Sequence, residues 1–62
     1  MKIRANRNAS GNYVCFEGST RVEDHSEWRD ALRWMAIKAR EAGVTISDKS
    51  HITAEDVANF KD

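Results

Sequence analysis

The chain has one cysteine, no proline, three glycines and no excess of either charge among its 62 residues. With Cys15 alone, no disulfide can form within the chain, which excludes the disulfide-stapled secreted scaffolds and makes a reducing, cytoplasmic setting the expectation. Ten basic and ten acidic side chains cancel, unlike the strongly basic domains that bind nucleic acid across a whole surface. Apolar runs are short, the stretch Trp34 to Ile37 reaching four residues against the ~20 a membrane span needs, so no membrane partner is expected. The first twelve residues, MKIRANRNASGN, hold no apolar leader core, so export is not expected either. Gly11, Gly18 and Gly43 are scattered, which excludes a glycine-rich phosphate loop.

What is present suits one small domain over residues 1–62. Hydrophobic residues make up 40% of the chain, enough for a core in spite of 32% charged residues. A chain this short buries only about 60% of its unfolded surface, so every core residue counts.

Residues 2 to 7 alternate, with Ile3 and Ala5 on one side and Lys2, Arg4 and Asn6 on the other, as in a half-buried strand. The segment Asn8 to Asn12 gathers turn formers, and Tyr13 to Glu17 reads as a second strand, completing a hairpin over residues 2 to 17. In that second strand Val14 and Phe16 share one face, and Tyr13, Cys15 and Glu17 share the other. The more apolar pair is expected to face inward. Gly18-Ser19 breaks the run, and Thr20 to Glu23 forms either a short third strand with Val22 inward or a loop, the strand being favoured because a two-stranded hairpin alone is barely stable. Asp24 or Ser26 is placed to cap a long helix that runs to Ala42 and ends at Gly43. Val44 to Ile46 reads as an extended return to the sheet. Thr53-Ala54-Glu55-Asp56 has the form of a capping box opening a short helix over 54 to 60, with Val57 and Phe60 toward the core.

The fold class is therefore α+β: a small antiparallel hairpin or sheet of two to four strands packed against one long helix, with a short C-terminal helix. The expected core is Ile3, Val14, Phe16, Val22, Trp28, Leu32, Met35, Ala39, Val44 and Ile46, joined by Ile52, Val57 and Phe60.

Stepping about 100° per residue along the long helix separates three faces. Trp28, Ala31, Leu32, Met35, Ala39 and Ala42 form the apolar stripe that should lie on the sheet. Arg29, Arg33 and Arg40 form a basic stripe. Glu27, Asp30 and Glu41 form an acidic side, and Trp34 and Ile37 lie within it. One helix–sheet contact cannot bury both the stripe and these two residues. Either the C-terminal segment covers Trp34 and Ile37 through Ile52, Val57 and Phe60, or they lie open to a partner with Asp30 and Glu41 as a charged rim.

Catalytic and metal chemistry find little to work with. Cys15, His25 and His51 match no zinc spacing, the carboxylate pairs Glu23-Asp24 and Glu55-Asp56 read as helix-start residues, and no cofactor is implied. The function expected is that of a small non-enzymatic regulatory or inhibitory protein that acts on a larger protein, with a homodimer as a further candidate assembly. The alternative is a nucleic-acid-binding module using Arg29, Arg33 and Arg40 together with Lys2, Arg4 and Arg7 of the hairpin.

In its order of elements, GNYVCFEG followed by EWRDALRWMAIKAREAG resembles two groups. One is the small sheet-plus-helix DNA-binding domain at the front of tyrosine recombinases, and the other is the HicB type of antitoxin. The resemblance covers roughly residues 2 to 46, implies a sheet-plus-helix fold and carries over no functional residue. The zero net charge departs from the recombinase domains, and the antitoxins' C-terminal DNA-binding module has no counterpart here. In its size the chain also resembles phage or prophage accessory proteins.

Overall fold

A computed structural model describes residues 1–61 of the chain. Four strands and two helices follow in the order β1 (Lys2–Arg7), β2 (Tyr13–Glu17), β3 (Thr20–His25), α1 (Trp28–Ala42), β4 (Thr45–Ile46) and α2 (Ala54–Ala58). The sheet order is β3-β2-β1-β4. The α+β class, the long helix, the Gly43 terminus and the short final helix are as expected. β4 makes the sheet mixed, because it pairs parallel to β1 through Lys2–Thr45 and Ile3–Ile46.

Local chemistry sets each turn. Asn8 organises the β1–β2 loop: its Oδ1 accepts from the backbone N–H of Ser10 and of Asn12, both at 3.0 Å. Gly11 sits at φ 85°, a left-handed position that its lack of Cβ permits. The β2–β3 turn is the two-residue loop Gly18-Ser19, with Gly18 at φ 64° as a tight hairpin turn demands at its first position. β3 then carries a one-residue bulge. Cys15 pairs with Glu23 but Phe16 pairs with Arg21, which leaves Val22 as the extra residue.

Helix α1 begins from Glu27 in extended conformation, with no side-chain cap, so neither Asp24 nor Ser26 takes the capping role expected of it. Asp24 is instead ion-paired with Arg21 inside β3. α1 ends on Gly43 at φ 66°. The capping box of α2 is complete, since Thr53 Oγ1 accepts from the Asp56 N–H at 3.2 Å and Asp56 Oδ2 accepts from the Thr53 N–H at 3.0 Å.

The core lies between the sheet and the two helices. Ile3, Ala5, Cys15, Ala31, Leu32, Met35, Ala36, Ile52, Val57 and Phe60 form one buried cluster, with Tyr13, Trp34, Ala39, Val44 and Ile46 packed against it. Small residues meet on both layers, Ala5 opposite Cys15 in the sheet and Ala31 and Ala36 on the helix, and all four are fully buried.

Three core expectations are corrected, for Phe16, Val22 and Trp28, while Val14 is buried as expected but on the other face of the sheet. The register Ala5–Cys15 and Ile3–Glu17 puts Tyr13, Cys15 and Glu17 on the helix side, so Val14 and Phe16 face away from α1. Val14 is buried among its sheet neighbours outside the main cluster, and Phe16 is half-buried beneath Arg4, whose guanidinium carbon lies 3.9 Å from the ring centroid. Val22 is 42% exposed because the bulge turns it out of the sheet. Trp28 is 43% exposed because it sits in the first turn of α1, ahead of Ala31 where burial begins.

The two sheet edges differ. Beyond the short β4, the loop 47–52 takes over the pairing of β1. Ser47 N–H donates to Ile3 O at 2.8 Å, and His51 N–H donates to Ala5 O at 3.1 Å. Ser50 Oγ accepts from the Ala5 N–H at 3.0 Å, and His51 Nδ1 accepts from the Arg7 N–H at 2.9 Å. At the other edge no described residue is paired to β3, whose residues Thr20 to Asp24 are all exposed.

Candidate functional site

Trp34 and Ile37 separate from the C-terminal segment. Phe60 packs on the flank of α1 that bears Arg29 and Arg40, and Ile52 and Val57 belong with it to the buried cluster. Arg40 Nη2 donates to the Phe60 carbonyl at 2.8 Å, and the Arg29 and Arg40 guanidinium carbons lie 5.3 Å and 5.9 Å from the Phe60 ring centroid. The opposite flank overhangs β3 and stays open. A groove of about 360 Å³ runs there, lined by Glu23 and His25 of β3 and by Asp30, Arg33, Trp34 and Ile37 of α1.

The groove follows from two features of the chain. The bulge keeps Glu23 and His25 on the helix side of β3, opposite Cys15 and Tyr13. The spacing Asp30, Arg33, Trp34, Ile37 puts those four side chains on one side of the helix, three or four residues apart. Trp34 is half-buried with its inner side on the core, and Ile37 is 42% exposed. Charged groups of both signs ring this apolar floor. His25 Nε2 lies 2.9 Å from Glu23 Oε1, which fixes the polar lip on the sheet side.

Of the residues expected to bind a protein, Trp34, Ile37 and Asp30 come together in this groove. Glu41 is exposed one helical turn beyond Ile37 and does not line it. Glu23 and His25 join the site although nothing in their local sequence marked them, since only the pairing of β3 with β2 brings them under α1. Arg33 also belongs to the groove lining.

The six cations of the nucleic-acid alternative do not form one face. Arg29 and Arg40 flank Phe60, and Arg33 lines the groove. Lys2 and Arg4 lie on the sheet face turned away from α1, with Arg4 stacked on Phe16. Arg7, at the hairpin end, pairs opposite Tyr13.

Cys15 is fully buried, and burial pushes its thiol up from 9.0 to about 11, helped by the nearby Glu23 and Asp24 carboxylates. A thiol held protonated and out of reach is a poor nucleophile. Among the described residues no three His, Cys, Asp or Glu side chains group as metal ligands, and no helix is long and apolar enough to cross a membrane. Comparison with protein-family models, curated proteins and solved structures finds no match.

Proposed function

We propose that this chain is a small non-enzymatic binding protein that regulates or inhibits a larger protein, which it holds through the groove between α1 and β3. The observation that carries the reading is that Ile37 is 42% exposed beside a half-buried Trp34, in a groove the C-terminal segment leaves open. An amphipathic tryptophan at the floor, an aliphatic neighbour and a rim of both charge signs is the composition of a protein-binding hot spot. The burial of the one thiol supports a role without covalent catalysis. The separation of the six cations favours a protein partner over nucleic acid.

Site-specific photo-crosslinking tests this. A crosslinker at Ile37 should capture a discrete protein from the native host's lysate, nuclease treatment should leave the product in place, and Trp34→Ala should abolish it. A crosslinker at Glu55, on the far side of α1, should capture nothing comparable. Products that vanish with nuclease, or that persist unchanged in Trp34→Ala, would refute the reading. A titration with duplex DNA and RNA at low and moderate salt gives the nucleic-acid alternative its own test, since phosphate contacts weaken steeply with salt.

A further inference from the structure

We infer that the bare β3 edge is an assembly surface for a second copy of this chain, joined by antiparallel pairing of β3 with β3 across a two-fold axis. The inference concerns the sheet edge, and it stands independently of the groove.

Backbone alternation indicates which groups are free. Gly18 N–H donates to Lys2 O at 2.8 Å and Asn8 N–H donates to Asn12 O at 2.8 Å, so the positions 12, 14, 16 and 18 exchange hydrogen bonds with β1. Tyr13, Cys15 and Glu17 therefore turn their backbone groups to β3, where they meet His25, Glu23 and Thr20. That leaves Asp24 on one side of the bulge and Arg21 on the other with N–H and C=O directed outward.

The bulge gives the edge a two-fold pattern. Thr20, Glu23 and His25 lie on the helix side of the sheet, and Arg21 and Asp24 lie on the other side. Antiparallel pairing with the axis between Val22 and Glu23 sets Arg21 against the second copy's Asp24, and Thr20 against its His25. Each pair shares a face, as opposed residues in an antiparallel ladder must. Val22 lies opposite the second copy's Glu23, so the two bulges fall side by side at the axis and the strands between the Arg21–Asp24 pairs match in length. Both Arg21–Asp24 pairs unite free backbone groups with opposite charges. Each Arg21 is already ion-paired with its own Asp24, and the dimer extends this to four charges of alternating sign. The two Val22 side chains, each 42% exposed in the single chain, approach the axis. Zero net charge sets no overall repulsion against association.

Charge reversal tests the pairing. Sedimentation equilibrium from micromolar to millimolar concentration should show the 7.1 kDa chain passing to twice that mass. Arg21→Glu faces Asp24 with a like charge and Asp24→Arg faces Arg21 with one, so each variant should self-associate about tenfold or more weakly. Mixing the two variants restores opposite charges at both positions and should restore the dimer, a result that an ion pair within one chain cannot produce. Circular dichroism checks that both variants fold. For the unaltered chain, amide exchange at Arg21 and Asp24 should slow as concentration rises. A chain that stays monomeric at millimolar concentration, or a dimer indifferent to both reversals, overturns the inference. Trp34→Ala should leave this dimer intact, which separates its failure from failure of the groove reading.

Discussion

Raising the pH should weaken the fold through one atom, the Cys15 sulfur. Its thiol titrates at about 11 in the folded chain against 9.0 for an ordinary cysteine, chiefly because it is buried and secondarily because Glu23 and Asp24 stand near. Between those values the unfolded chain releases a proton that the folded chain keeps. Fewer protons on the unfolded side means that stability falls as pH rises. The contribution is fully present below pH 9.0 and is lost progressively as the pH climbs toward 11. Two pH units correspond to about 3 kcal/mol in total, of which about 2 kcal/mol is lost by about pH 10.5. That is a large share of the few kcal/mol expected for a chain of this size. Urea titrations near neutrality and at the alkaline end, on wild type and Cys15→Ala, isolate the effect from the lysines and Tyr13, which both proteins share. Wild type should start the more stable, because Cys15→Ala leaves a small cavity, and should lose that lead at high pH. A stability difference that does not change with pH would refute the reasoning, as would native-state labelling of the thiol at the rate of a free peptide cysteine.

Further outcomes follow from the packing. Ile52 is fully buried and ties the loop 47–52 to the core, so Ile52→Ala should cost roughly 2–5 kcal/mol in urea unfolding, enough to leave much of the protein unfolded. Ser50→Ala removes the hydroxyl that serves the Ala5 backbone and should cost about 1–3 kcal/mol, with faster amide exchange at Ala5. Thr53→Ala breaks the capping box and should cost about 1 kcal/mol by the same titration. Phe16→Ser, on the face away from α1, should leave the fold cooperative, whereas Cys15→Asp should abolish it; the two circular dichroism melts compare the faces directly.

Much of this architecture was legible in the residues. The alternation at Ile3 and Ala5, the turn formers around Gly11, the left-handed Gly43 and the Thr53/Asp56 box are local signals, and each produced its element. The inward face of β2 was not legible. Periodicity separates Val14 and Phe16 from Tyr13 and Cys15, but which pair turns inward depends on register with β1, and apolarity favoured the wrong pair. Small Ala5 and Cys15 lie where α1 approaches closely, while Phe16 is sheltered by an arginine. The bulge at Val22 is likewise a product of pairing. At the candidate site, Trp34 and Ile37 stood out because they lie off the buried stripe. Glu23 and His25 are brought beneath them by sheet order alone, across a separation that no local pattern spans.

The sealing of β1 by Ser47, Ser50 and His51 also limits how far the chain can assemble. A ribbon with a single sticky margin runs out of places to grow once two molecules have met. Were the backbone of β1 left bare beyond β4 as well, without the hydrogen bonds from Ser50 and His51, each molecule could join neighbours on both sides. Growth would then have no natural stop, so if β3 pairs as inferred, the cover laid on β1 by residues 47–52 is what would hold the assembly to closed pairs.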